Sequence, residues 1–119
     1  MRKTKNNLPR INGQEFENEL KKNNEYILRA NYYIIDKNFK CVFKKPVYRC
    51  YAQEPTEYIK EPERNLLLDM KDYLSFYQVD LNKKLSLCVE VFTYSEKEKR
   101  EKVYFVPLKR NILFLKHVN

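Results

Sequence analysis

The chain has a single glycine, Gly13, and that scarcity excludes two common nucleotide-binding devices. A P-loop needs two glycines to cradle phosphate and a dinucleotide fingerprint needs three. Histidine is equally scarce. With His117 alone, paired-histidine metal motifs such as H-E-x-x-H cannot be built. Cys41, Cys50 and Cys88 include no C-x-x-C pair, so a structural zinc site would need all three to converge with His117. Isolated cysteines of this kind more often act as small buried hydrophobes. Their odd number does not read as a disulfide framework, which fits a reducing compartment. Apolar runs fall short of the ~18 residues a membrane span requires. No apolar segment follows the basic start, so no signal peptide is expected. These absences lead us to expect a cytoplasmic protein with no metal, no cofactor and no membrane attachment. Ser75, Ser86 and Ser95 lack a nucleophile-elbow context. Asp69 and Asp72, one helical turn apart, read as a solvated helix face before a metal pair. No catalytic residue is therefore assigned.

What the chain does have begins with one amphipathic helix, expected over residues 62–78. Leu66, Leu67, Met70, Tyr73, Leu74 and Tyr77 recur three or four residues apart and form one apolar stripe. Pro62 suits a first helical turn, where no N–H is needed. A shorter helix is expected over 14–22, with Phe16 and Leu20 one turn apart.

Most of the rest reads as strand. Glu25 to Ile35 and Phe39 to Ala52 are rich in Tyr, Ile, Val and Phe, with Asp36-Lys37-Asn38 as the turn between them. Alternation puts Tyr26, Leu28, Ala30, Tyr32 and Ile34 on a core face, paired with Phe39, Cys41 and Phe43. Pro46 removes a ladder donor, which places its strand at an edge or at a bulge, and Pro107 places the strand before it at an edge or ends it. Leu85 to Tyr94, Lys102 to Leu108 and Asn111 to Val118 are the remaining strands. The last has apolar residues on both faces, as an interior strand does. The expected fold class is α+β. It comprises a mainly antiparallel five-stranded sheet or partly open barrel, with the main helix (62–78) between strand 2 and strand 3 and a short N-terminal helix. Residues 1–12 form a flexible basic N-terminal arm and 13–119 a single domain.

Five strands with one internal helix resemble the oligonucleotide/oligosaccharide-binding barrel, whose helix follows the third strand. Here two strands precede the helix unless Pro46 divides the second, and one glycine is few for tight barrel corners.

The net charge is +8, unevenly spread. Residues 54–80 hold three Lys/Arg against seven Asp/Glu, a net of −4, which leaves +12 for the remainder. If the helix covers one face of the sheet, basic charge is left for the other face and the edges. That layout suits an anionic partner, of which nucleic acid is the commonest, although excess lysine also serves solubility. The strand register sets Tyr33 beside Lys40 and Arg29 beside Lys44 on the face away from the core. The candidate nucleic-acid-binding residues are Arg29, Tyr33, Lys40, Lys44, Lys45, Arg49 and Tyr51, helped by the arm cations Arg2, Lys3, Lys5 and Arg10. Rings on such a surface stack bases while cations pair with phosphates, so a single strand is favoured.

The leading expectation is a small, basic, non-catalytic nucleic-acid-binding protein. The alternative is a small protein-binding module of the phage or mobile-element type, an inhibitor or accessory factor. It rests on low glycine, Lys/Asn-rich usage and ten tyrosines with no tryptophan. A third reading comes from the segment KVYFVPLKRNILFLKHVN, residues 102–119, with Tyr104 in its first strand and His117 closing its last. This segment resembles the closing hairpin of toxins of the RelE/ParE superfamily, which open on a helical hairpin where this chain has strands. The resemblance implies a metal-independent ribonuclease using Tyr104 and His117.

Overall fold

A computed structural model describes residues 10–51 and 64–118. The element order is α1 (Gly13–Lys22), β1 (Glu25–Ile35), β2 (Tyr48–Tyr51), α2 (Arg64–Phe76), β3 (Ser86–Ser95), β4 (Arg100–Asn111) and a 3₁₀ helix, η1 (Ile112–His117). Four strands lie in the order β2-β1-β3-β4, every neighbouring pair antiparallel. Arg10 adds a one-residue parallel rung to β4 through Phe105, so the sheet is about five strands wide and does not close. The fold is α+β, with the main helix between strands 2 and 3.

Of the arm expected over 1–12, residues 1–9 lie outside the described residues, and 10–12 are held against the domain. The Ile11 N–H donates to the Phe105 carbonyl at 2.9 Å, and Asn12 caps α1 by accepting from the Glu15 N–H at 2.8 Å. The expected start of the 62–78 helix, Pro62 and Glu63, also lies outside the described residues, and the helix ends at Phe76, with Tyr77 and Gln78 in a turn.

One face of the sheet carries the core. Phe16 and Leu20 of α1, Met70 and Leu74 of α2, and Ile112 and Leu115 of η1 cover Ala30, Tyr32, Ile34, Leu87, Val89, Val91 and Val106. Of the predicted α2 stripe two residues are buried and Leu67 packs half-buried against the core, while the Leu66 side chain lies outside the described residues. Met70 and Leu74 point inward, while Tyr73 and Tyr77 are exposed. A stripe spanning three successive turns is wider than the strip of sheet beneath it, so its flank stays in water.

Three strand expectations need correction. Asn111 to Val118 is not an interior strand. The Asn111 side chain accepts from the Leu113 N–H at 2.8 Å and starts a 3₁₀ turn that buries Ile112 and Leu115 together, three residues apart. Apolar residues on both faces are equally the signature of a buried helical turn. The second strand does not begin at Phe39. The Val42 N–H donates to Ile34 and the Val47 N–H to Tyr32, so residues 43–46 bulge out between adjacent rungs. Pairing resumes at Tyr32↔Tyr48 and Ala30↔Cys50, not at the expected Tyr32–Cys41 and Ala30–Phe43. Pro46 sits in this excursion, just before the edge strand β2. Pro107 lies on β4, the other edge strand, beside a register shift.

The third correction concerns β1. A β-bulge between Ile27 and Arg29 reverses the alternation. Ile27 is buried in the core, and Tyr26, expected inside, is 48% exposed on the opposite face. The reversal also turns Glu25 inward, where its carboxylate has no exposed surface. It accepts from Thr93 Oγ1 (2.6 Å), Asn23 Nδ2 (2.9 Å) and the Tyr104 hydroxyl (2.8 Å), with Lys102 Nζ at 3.7 Å. A buried carboxylate is tolerated only with such partners.

Glycine scarcity leaves a mark on the backbone. Asn24, Phe39, Gln78 and Lys99 all have φ between 50° and 63°, a region that costs a residue with a Cβ roughly 1–2 kcal/mol. Phe39 is the bulkiest of them and sits at the tip of the 36–40 turn. Asp36 holds that turn by accepting from the Asn38 and Lys40 N–H groups at 2.8 and 3.0 Å. These two bonds hold its carboxyl below the usual carboxylate range.

Candidate nucleic-acid interface

The face of the sheet away from the core divides along its length. Residues directly opposite in antiparallel strands share a face. The pairs Tyr33↔Cys88, Asn31↔Glu90↔Phe105, Arg29↔Phe92↔Val103 and Tyr26↔Tyr94 are therefore successive rows of one surface. β2 extends two of them, with Arg49 opposite Asn31 and Tyr51 opposite Arg29.

The first rows are buried. Tyr33, Ile35, Cys88 and Phe105 form a second small core, with Cys41 packed against it. Tyr33 is only 1% exposed, its ring edge-on to Phe105 and its hydroxyl donating to Glu90 at 3.2 Å. Asn31 donates to the same carboxylate at 3.1 Å. The Arg10 guanidinium stacks on the Phe39 ring at 4.3 Å, beside a groove of about 460 Å³ that also involves Ile35, Lys37 and Pro107. Tyr33 is thus removed from the set of rings available to a base. β1 was read as having one core face, but the cover from residues 10–12 and 36–41 makes both faces apolar at that end.

The remaining rows are open. The Arg29 guanidinium lies 4.0 Å over the Phe92 ring, and Tyr26 and Tyr94 sit ring to ring at 5.8 Å in the next row. Arg29 and Arg49 are exposed and form no ion pair among the described residues. Tyr51 is placed here by its pairing, and its side chain lies outside the described residues. Phe92, Tyr94 and Tyr26 were missed as site residues. The alternation that sends Ser86 and Glu90 outward in β3 also sends out Phe92 and Tyr94, so a signal existed for those two. Tyr26 needed the bulge.

Three predicted cations lie elsewhere. Lys40 is exposed at the end of the Asp36 turn. Lys44 and Lys45 are exposed on the 43–46 excursion, where Lys45 lines a second groove of about 250 Å³ with Tyr48, Arg49, Tyr73 and Tyr77. The expected neighbours Tyr33–Lys40 and Arg29–Lys44 do not form: the hairpin closes with Lys40 opposite Asp36 and Cys41 opposite Ile35, and the 43–46 excursion then shifts the register again.

Tyr104 lies in the middle of β4 and His117 on η1, beyond the C-terminal end of that strand. The Tyr104 hydroxyl is bound to Glu25, and Phe16 of α1 packs on its ring at 5.3 Å. Burial, the hydrogen bond and the charge of Glu25 raise its pKa well above the normal phenol range. His117 is on η1, which packs against α2, where Lys71 donates to the Val118 carbonyl at 2.9 Å. The strand between Tyr104 and Ile112 covers roughly 25 Å at 3.3 Å per residue, more than the short η1 retraces.

Among the described residues, no group of three His, Cys, Asp or Glu side chains forms a metal site, and no helix is long and apolar enough to cross a membrane. No protein-family model, curated protein or solved structure matches the chain.

Proposed function

We propose that this protein binds single-stranded nucleic acid, without cleaving it, on the open rows of its outer sheet face. Arg29 and Arg49 pair with phosphates, and Phe92, Tyr26 and Tyr94 supply the rings on which bases stack. Lys40, Lys44 and Lys45 extend the positive field around the β2 edge, and a cytoplasmic location goes with this reading. The observation that carries it is the exposed Arg29 guanidinium stacked over the half-buried Phe92 ring, beside the Tyr26–Tyr94 pair. It presents cation and aromatic surface together in a chain of net charge +8. A single strand is favoured over a duplex because rings on a sheet surface can reach only unstacked bases.

Fluorescence anisotropy with labelled single-stranded RNA, single-stranded DNA and duplex DNA across a salt series tests this. Tighter binding of a single strand is expected, with affinity falling as salt rises. Arg29→Ala with Arg49→Ala should flatten the logarithmic salt slope by about 1.4, at roughly 0.7 per phosphate contact on a single strand. Unchanged affinity and slope in that double variant would sink the interface. Protein binding, the second reading, is favoured by a separate surface, the exposed aromatic residues at the end of α2.

A further inference from the structure

The C-terminal end of α2 carries the most exposed large apolar side chain among the described residues. Phe76 is 81% exposed, its ring edge-on to Tyr77 at 5.5 Å, and Tyr77 in turn meets Phe43 of the excursion at 6.0 Å. Tyr73 stacks edge-on with Tyr48 at 5.2 Å and closes the other end of the same groove. An aromatic cluster left in water on a small domain marks an interaction surface. Its anchors are already held against one another, so little side-chain entropy is lost when a partner binds.

The charges around the cluster choose the partner. Lys44, Lys45 and Arg49 are exposed on the excursion side and form no ion pair among the described residues. Asp69 and Asp72 are exposed along α2 itself. A nucleic-acid strand laid in this groove would run its phosphates past both aspartates. A second copy would bring a net +8 toward a net +8. A short peptide avoids both penalties, because it can place carboxylates opposite the three cations only and an apolar side chain against Phe76 and Tyr77. β2 is an edge strand whose outer side has no partner strand among the described residues, and it offers main-chain hydrogen bonds to an extended segment.

We infer that the groove between α2 and the 43–49 segment docks an acidic peptide of another protein, in extended form, through an aromatic or leucine anchor flanked by Asp or Glu. This surface shares Lys44, Lys45 and Arg49 with the positive field assigned to the nucleic acid, but not Arg29, Phe92, Tyr26 or Tyr94, so the Arg29–Phe92 face and the groove can be tested apart.

The probe is a displayed library of random twelve-residue peptides, panned on the wild-type protein with counter-selection on a Phe76→Ser, Lys44→Glu, Lys45→Glu variant. All three positions are exposed, so the variant should keep the wild-type circular dichroism spectrum and melting temperature. Enriched peptides should carry Asp or Glu next to an aromatic or leucine residue. Synthesised singly, they should bind the wild type at least tenfold tighter than the variant, and Arg29→Ala should leave that affinity unchanged. Three outcomes would overturn the inference. The first is no enrichment over the variant. The second is enrichment without acidic residues. The third is a concentration-dependent dimer that Phe76→Ser abolishes. Because Arg29 and Phe92 are untouched, loss of nucleic-acid binding in their variants is a separate result.

Discussion

Tyr33 and Tyr26 lie on the same strand and the same face of the sheet, yet one is sealed and the other stands in water. The strands beneath them are continuous, and both rings have an aromatic neighbour, Phe105 for Tyr33 and Tyr94 for Tyr26. What differs is the cover. At the Tyr33 end, residues 10–12 run along β4 and the 36–41 turn folds back, held by Asp36 and by Arg10 stacked on Phe39. At the Tyr26 end no described segment packs over the rings in this way. One surface chemistry therefore serves two purposes. Covered, an aromatic row is core and its hydroxyl must find a partner such as Glu90. Uncovered, it is a platform with a cation over it.

The largest expected difference between the two ends is in stability. Tyr33→Ala should lower the unfolding free energy by about 3–5 kcal/mol, as for other large aromatic truncations in a core, and Tyr26→Ala by less than about 1 kcal/mol. Urea denaturation of both variants measures this, and equal losses would erase the division of the face. Next comes binding. Phe92→Ala should weaken single-strand affinity by about 1–3 kcal/mol, the range for one stacked base, while Phe39→Ala on the cover should change it far less. The reverse order in anisotropy would move the interface to the covered end.

The alkaline response is third. Burial pushes the Cys88 thiol from 9.0 up to about 12. The native state thus keeps a proton that the unfolded chain releases, and stability present below pH 9.0 is lost as pH rises toward about 12. Tyr104, raised by burial and by Glu25, acts in the same direction. Melting temperature should fall over that range, and less steeply in Cys88→Ala measured against its own neutral-pH value. An unchanged slope would mean that Cys88 is not sealed. Smallest is the acid response of the cover. The lowered pKa of Asp36 means its turn is favoured above pH 3.8 and loosens as pH falls through the folded value. Hydrogen-exchange protection of the Asn38 and Lys40 amides should decline there first, before the global transition. Asp36→Asn should remove that pH dependence.

Local pattern made much of this legible. The bounds of β1, the apolar positions of α1, the Asp36 turn and the edge placement of the Pro107 strand follow from alternation, helical spacing, turn residues and a missing donor. These depend on neighbouring residues alone. Arg29 was identifiable for the same reason, as an outward position on a basic, aromatic strand, whereas alternation left the faces of Arg49 and Tyr51 open beyond Pro46. The errors arose where a distant segment decides. Tyr33 reads as an outward ring until residues 10–12 and 36–41 cover it. Tyr26 reads as inward until the bulge that lets Glu25 reach Thr93 and Tyr104 turns it out. Lys44 reads as facing Arg29 until the excursion displaces it. The 111–118 segment reads as an interior strand until Asn111 caps a turn over the helix layer.

The sequence by itself determined the α+β class, the excess of basic charge, the exclusion of P-loop and dinucleotide chemistry, and the set of aromatic and cationic residues. Composition and periodicity are properties of the chain alone. Only the tertiary structure decided which rings are core and which are surface, because burial depends on what packs over a residue, and those partners come from far along the chain. The distinction between the sealed Tyr33 and the open Arg29–Phe92 stack, on which the proposed function rests, belongs to that second kind.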